Sequence, residues 1–116
     1  MADQLGPFCP RYHHAVELIG RRWTGAVIRV LLGGRARYHA LRDAVPDISD
    51  RMLAERLREL EHEGVISRVV VPETPVRVEY ELTDKGRALE PVVRAIAAWA
   101  ERWVEAESEE PTRTGR

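Results

Sequence analysis

The sequence predicts a mainly α-helical domain that carries one small β-hairpin near its end. Three observations carry that expectation. Apolar residues recur at helical spacing through most of the chain. The segment "RVVVPETPVRVEYEL" from Arg68 is instead dense in β-branched residues, and a strongly apolar helical pattern resumes after it. At 116 residues, 44% hydrophobic and 32% charged, the chain suits one domain with a modest core and argues against disorder.

The first helix is expected from Arg11 to Ile19, after Pro10, with Tyr12, Ala15, Val16 and Ile19 on one side. A second is expected from Trp23 to Leu32, between Gly20 and the stop signal Gly33-Gly34, with Trp23, Val27, Val30 and Leu31 at helical spacing. A third, Tyr38 to Val45, ends against Pro46, which disfavours helical backbone at the residue before it. Ser49 then caps a fourth helix, and Asp50 in the first turn suits its positive end. Leu53, Leu57 and Leu60 form the core stripe of that helix. At about 100° per residue, Arg51, Glu55, Arg58 and His62 fall on the opposite face, with Met52 and Glu59 beside it. Gly64 closes the helix.

Two strands follow, Val69 to Val71 and Val76 to Leu82. Two prolines and a glutamate join them, where a tight hairpin would take Asn-Gly or Gly-Gly. Thr83 caps a last helix running to about Ala106, which Pro91 is expected to kink or divide. Leu89, Val92, Val93, Ile96, Trp99, Trp103 and Val104 give that helix more apolar surface than so small a domain buries alone. The expected domain is 9–106, with 1–8 and 107–116 as flexible termini.

Composition narrows the function classes. No apolar run approaches the roughly 20 residues of a membrane span. The stretch "MADQLGPFCP" lacks the apolar segment of a secretion signal, and a lone cysteine forms no internal disulfide, so a cytoplasmic setting is expected. No Ser/His/Asp constellation, phosphate-cradling glycine loop or metal-ligand spacing is present, so neither an enzyme nor a metal or other cofactor is expected. His13-His14 lie about 100° apart on a helix and suit surface polarity better than a shared ion. Net charge is only −1, yet Arg11 to Arg42 holds arginines 11, 21, 22, 29, 35, 37 and 42 against the single acid Glu17. That distribution permits an anionic partner at one surface.

Two short helices joined by "VPDIS" have the form of a helix-turn-helix, with the second helix as the one that enters a major groove. A hairpin behind such a helix is a wing, and prolines at its tip stiffen it and discourage pairing with other chains. The exposed face of the fourth helix offers Ser49, Arg51, Met52, Glu55 and Arg58 to base edges. Arginine bonds bidentately to guanine, glutamate accepts from cytosine, and methionine can touch a thymine methyl. Arg35, Arg37, Tyr38 and His39 at the start of the third helix are assigned to phosphate contacts, and Arg68 and Arg77 beside the tip to phosphate or the minor groove.

Several motifs together resemble the HxlR-type winged-helix regulators. "CPRYHHAVELIGRRWTGAVIRVLLGG" is similar to their opening, and "ISDRMLAERLRELEHEGVISR" to their recognition helix and first wing strand. "PETPVRVEYELTDKG" and "LEPVVRAIAAWAERW" are similar to their wing and terminal helix, proline included. The resemblance spans about Cys9 to Trp103. It implies a bacterial transcription regulator, expected to be a repressor, that binds double-stranded DNA as a homodimer through its first and last helices. Tyr12, Val16, Val92, Ile96, Trp99 and Trp103 are the expected dimer contacts. Cys9 matches the cysteine that some members use as a thiol sensor, and an unidentified small-molecule effector is the other expected input. The chain departs from the family pattern at Tyr38, at His39-Ala40, and at Gly25, where a larger apolar residue is usual and a gap or close contact is expected.

Bland readings stand beside these. The Arg/Glu pattern of "RMLAERLRELEHE" would stabilise any exposed helix through pairs such as Arg51 with Glu55, and Arg56, Glu59 and Glu61 suit that use best. The alternative function is a winged-helix module that binds protein and not DNA.

Overall fold

A computed structural model describes residues 6–105. The expected flexible termini lie largely outside that range, as does Ala106. The elements are α1 (Pro10–Ile19), α2 (Thr24–Leu32), β1 (Ala36–Arg37), α3 (Tyr38–Ala44), α4 (Asp50–His62), β2 (Ile66–Val71), β3 (Arg77–Leu82), α5 (Asp84–Arg87) and α6 (Glu90–Trp103). The mainly helical architecture with a hairpin is as the sequence led one to expect. Two details differ.

A short extra strand, β1, pairs with β3, so the hairpin belongs to a three-stranded antiparallel sheet in the order β1-β3-β2. Two residues are too few to show an alternating pattern, and "RARY" reads as a charged loop. The last helix is divided, one of the two outcomes expected of Pro91, but its end falls earlier than expected. It is split at Ala88 and Leu89, with Pro91 in the first turn of α6, and it stops at Trp103 short of Ala106. Proline fits there because the first turn leaves its N–H groups unpaired in any case.

The core is built from α2 (Val27, Ile28, Leu31), α3 (Leu41), the turn after it (Val45, Ile48), α4 (Leu53, Leu57, Leu60) and the sheet root (Val65, Ile66, Leu82). Each such aliphatic side chain contributes roughly 1.5–3 kcal/mol when fully buried. α4 is held by its predicted ends: the Ser49 hydroxyl accepts from the Met52 amide at 3.0 Å, and Gly64 takes a left-handed φ of 80°. In the helix-turn-helix turn Asp47 has φ 68°, a conformation that a short polar side chain tolerates better than most. Trp23, at the start of α2, also has a positive φ of 77°, with the Arg22 guanidinium 4.9 Å over its ring.

α1 and α6 contribute no fully buried residue. Leu89 and Val93 pack against the core, whereas Tyr12, Val16, Val92, Ile96, Trp99, Trp103 and Val104 are exposed. Trp99 and Trp103 keep 61% and 64% of their surface in solvent, which leaves a broad apolar face without a partner among the described residues.

Candidate nucleic-acid interface

α3 and α4 are locked together at the point where a helix-turn-helix must be rigid. The Tyr38 hydroxyl donates to the Asp50 carbonyl at 2.8 Å, and Arg42 pairs with the Asp50 carboxylate at 3.2 Å. Burial, followed by the nearby Asp50 charge, raises the Tyr38 pKa and keeps the hydroxyl a donor. Tyr38 therefore aims α4 from within the protein, where the sequence had suggested a phosphate contact. Arg37 and His39 beside it are exposed.

Along α4, Arg51, Glu55, Arg58 and His62 line one groove of about 740 Å³. The opposite wall is α1, through His14 and Glu17, with Arg21 from the turn that follows it. His14 Nε2 lies 2.9 Å from Glu63, and Arg21 Nε lies 3.2 Å from Glu59. The far end of α4 is thus tied to α1, and its first turns remain open. Arg51 and Arg58 are exposed and form no ion pair among the described residues. The expected Arg51 to Glu55 pairing is absent among the described residues, so this face is not a closed lattice of salt bridges.

Two neighbours on α4 differ from expectation. Met52 is half-buried against the core, and its sulfur accepts from Arg56 Nη2 at 3.1 Å, so it turns away from the groove. Arg56 is not solvated. It is only 6% exposed, paired through Nη1 to Glu59, with its Nε buried and unpartnered among the described residues. Glu59 thereby joins the α1–α2 link, through Arg21, to the interior of α4. The charge pattern alone hides this, but the position of Arg56, three residues after Leu53 and four before Leu60, puts it on the leucine side of the helix.

The hairpin separates its two arginines. Side chains alternate across a strand, and the register pairs Arg68 with Tyr80 and Val71 with Arg77. Arg68 shares a face with Val70, Val78 and Tyr80, and Arg77 lies on the other. On that second face Arg35 reaches both Glu79 (3.3 Å) and Glu81 (3.2 Å), while Arg77 reaches Glu79 and Glu73, each at 2.8 Å. Hydrogen bonding to Glu79 leads the causes that raise the Arg35 pKa. Partial burial works to raise the Glu79 pKa, but the bonds from Arg77 and Arg35 outweigh it and the net shift is downward. Arg35 and Arg77 are thus already neutralised, whereas Arg37, Arg51, Arg58 and Arg68 have no carboxylate partner among the described residues.

Cys9 is exposed at the N-terminus of α1. The backbone amides of Tyr12 and then Arg11 lower its pKa, although neither closes a capping hydrogen bond. No group of histidine, cysteine and carboxylate side chains that could hold a metal occurs among the described residues. Likewise, no described helix is long and apolar enough to cross a membrane.

Comparison with known proteins gives a consistent result. Residues 18–108 match the family described as HxlR-like helix-turn-helix. A Bacillus subtilis protein, the uncharacterized HTH-type transcriptional regulator YvaP, is 48% identical over 97 residues, covering 84% of this chain and 90% of that one. The reduced form of the transcriptional regulator YodB from B. subtilis superimposes with a TM-score of 0.77 at 45% identity, covering 85% of this chain and 97% of that one. The redox regulator HypR in its oxidized form gives a TM-score of 0.76 at 38% identity, covering 81% and 96%.

Proposed function

The chain belongs to the HxlR-like helix-turn-helix family, and from that premise we propose that it reads a pseudo-palindromic operator as a homodimer, with α4 in the major groove and the hairpin alongside. It is a transcriptional regulator of the helix-turn-helix type, and its relatives are regulators, not enzymes. The observation that carries the finer reading is the split among its arginines. Arg21, Arg35, Arg42, Arg56 and Arg77 are engaged by carboxylates, and among the described residues Arg51 and Arg58 on α4 are left uncommitted beside Arg37 and Arg68. Unpaired guanidiniums on a helix face suit guanine edges, and those at its margins suit phosphates.

The dimer reading rests on the exposed apolar residues of α1 and α6, since a lone protomer would leave two tryptophans in water. Two-fold symmetry would place the two α4 helices about one DNA turn, ~34 Å, apart. We assign repression, because such a dimer occludes the duplex it lies on. Cys9 is the candidate thiol switch: it is exposed, its pKa is lowered, and similar proteins were solved in reduced and oxidized forms.

Net charge of −1 and the self-neutralised hairpin face favour a second reading, a module that binds protein. A salt titration on random duplex DNA separates the two. Binding to DNA should weaken steeply as salt rises, because displaced counterions drive it. Absence of binding at low salt would leave the protein-binding module.

A further inference from the structure

A second cavity, of about 340 Å³, lies between α2 and α6, away from the groove beside α4. Gly25, Ile28, Leu89, Val93 and Ile96 supply apolar wall, and among the described residues Arg29 is the only charged one at its edge. The wall at Gly25 is open: a Cβ built there meets nothing within 4 Å. Arg29 has no carboxylate partner among the described residues. The volume falls in the usual range for small-molecule sites, roughly 300–1,000 Å³, which are mostly apolar with a few placed polar groups.

We propose that this cavity binds a small aromatic carboxylate, its ring against the apolar wall and its anion on the Arg29 guanidinium. The competing occupant is the α6 of a second copy. That helix offers tryptophans and aliphatics on its exposed face but no free anion for Arg29. Of its two carboxylates, Glu90 is bonded to Arg94 at 2.8 Å, and Glu101 lies about 200° around the helix from Trp99. A carboxylate ligand satisfies both the apolar space and the cation. Ile96 belongs both to the cavity wall and to the exposed face assigned to the dimer, so occupancy would bear on how two copies meet. That consequence rests on the dimeric-regulator reading; binding itself does not.

Calorimetric titration with 2-naphthoate, and with neutral 2-naphthalenemethanol as control, tests the site. Wild-type protein should take up one naphthoate per protomer. Gly25→Leu, which fills the space, should weaken it about tenfold or more. Arg29→Gln should weaken naphthoate by about tenfold and leave the alcohol unchanged. Sedimentation of the same samples reports the assembly state, and low-salt duplex binding without ligand tests the regulator reading separately. No naphthoate uptake by wild type, or equal uptake by Gly25→Leu, overturns the proposal whatever the DNA result. If, in addition, Gly25→Leu alone turns a dimer into monomers, the occupant is the second copy.

Discussion

Arg51 and Arg58 differ from their neighbours in what they have left to offer. Each is exposed, and each lacks a carboxylate partner among the described residues. Replacing either with alanine should cost about 1–3 kcal/mol of operator binding while leaving random-sequence binding and the unfolding midpoint nearly unchanged, as competition binding would show. An unaltered operator preference would place the reading face elsewhere. Arg37→Ala and Arg68→Ala should instead weaken all sequences alike and flatten the salt slope. Arg56 belongs to a different class. Glu59 sits between it and Arg21, so Glu59→Ala should destabilise the fold by roughly 1–3 kcal/mol in denaturant titration, because it strands a buried guanidinium. At this scale the sequence was least legible. Spacing alone places Arg51 and Arg58 opposite the leucines, whereas Arg56, three residues after Leu53 and four before Leu60, lies on the leucine side, a positional signal that a reading by charge passes over.

Among the elements, α4 was the most legible. Its cap at Ser49, its leucine stripe and its glycine stop each follow from local chemistry, and all three agree. The hairpin was legible in kind but not in face, because the assignment of Arg68 and Arg77 to opposite sides needs the register with β3. β1 was invisible, being too short to show a period. The ion pairs on the hairpin make its rigidity depend on pH. The Glu79 carboxyl is depressed in the folded chain, so its contribution is complete above the ordinary carboxylate value and fades as pH falls through the depressed one. Amide exchange in β3 should therefore accelerate relative to the core below about pH 4 and be steady from about pH 5 to 7. Equal protection throughout would mean the pairs add nothing. α5 depends on one glycine: a Cβ on Gly86 would lie 2.2 Å from the Val65 carbonyl oxygen. Gly86→Ala should lower stability by roughly 1–3 kcal/mol, read as a drop in melting temperature.

The whole molecule has a buried centre and two helices at its extremities that do little to fill it. α1 and α6 bury no residue fully, and although Leu89 and Val93 pack against the core, Val92, Ile96, Trp99, Trp103 and Val104 stay exposed in the described chain. Ile96→Glu or Trp99→Glu should therefore give a folded monomer by sedimentation, with DNA binding weakened because two half-sites are no longer engaged together. Helix content unchanged beside lost self-association would separate this from unfolding. Selection of bound sites from random duplex DNA by the purified chain tests the central claim most directly. An inverted repeat with half-site centres about 34 Å apart is the expected outcome. Recovery of unenriched sequence, from protein that sediments as a single chain and ignores duplex at low salt, would contradict it.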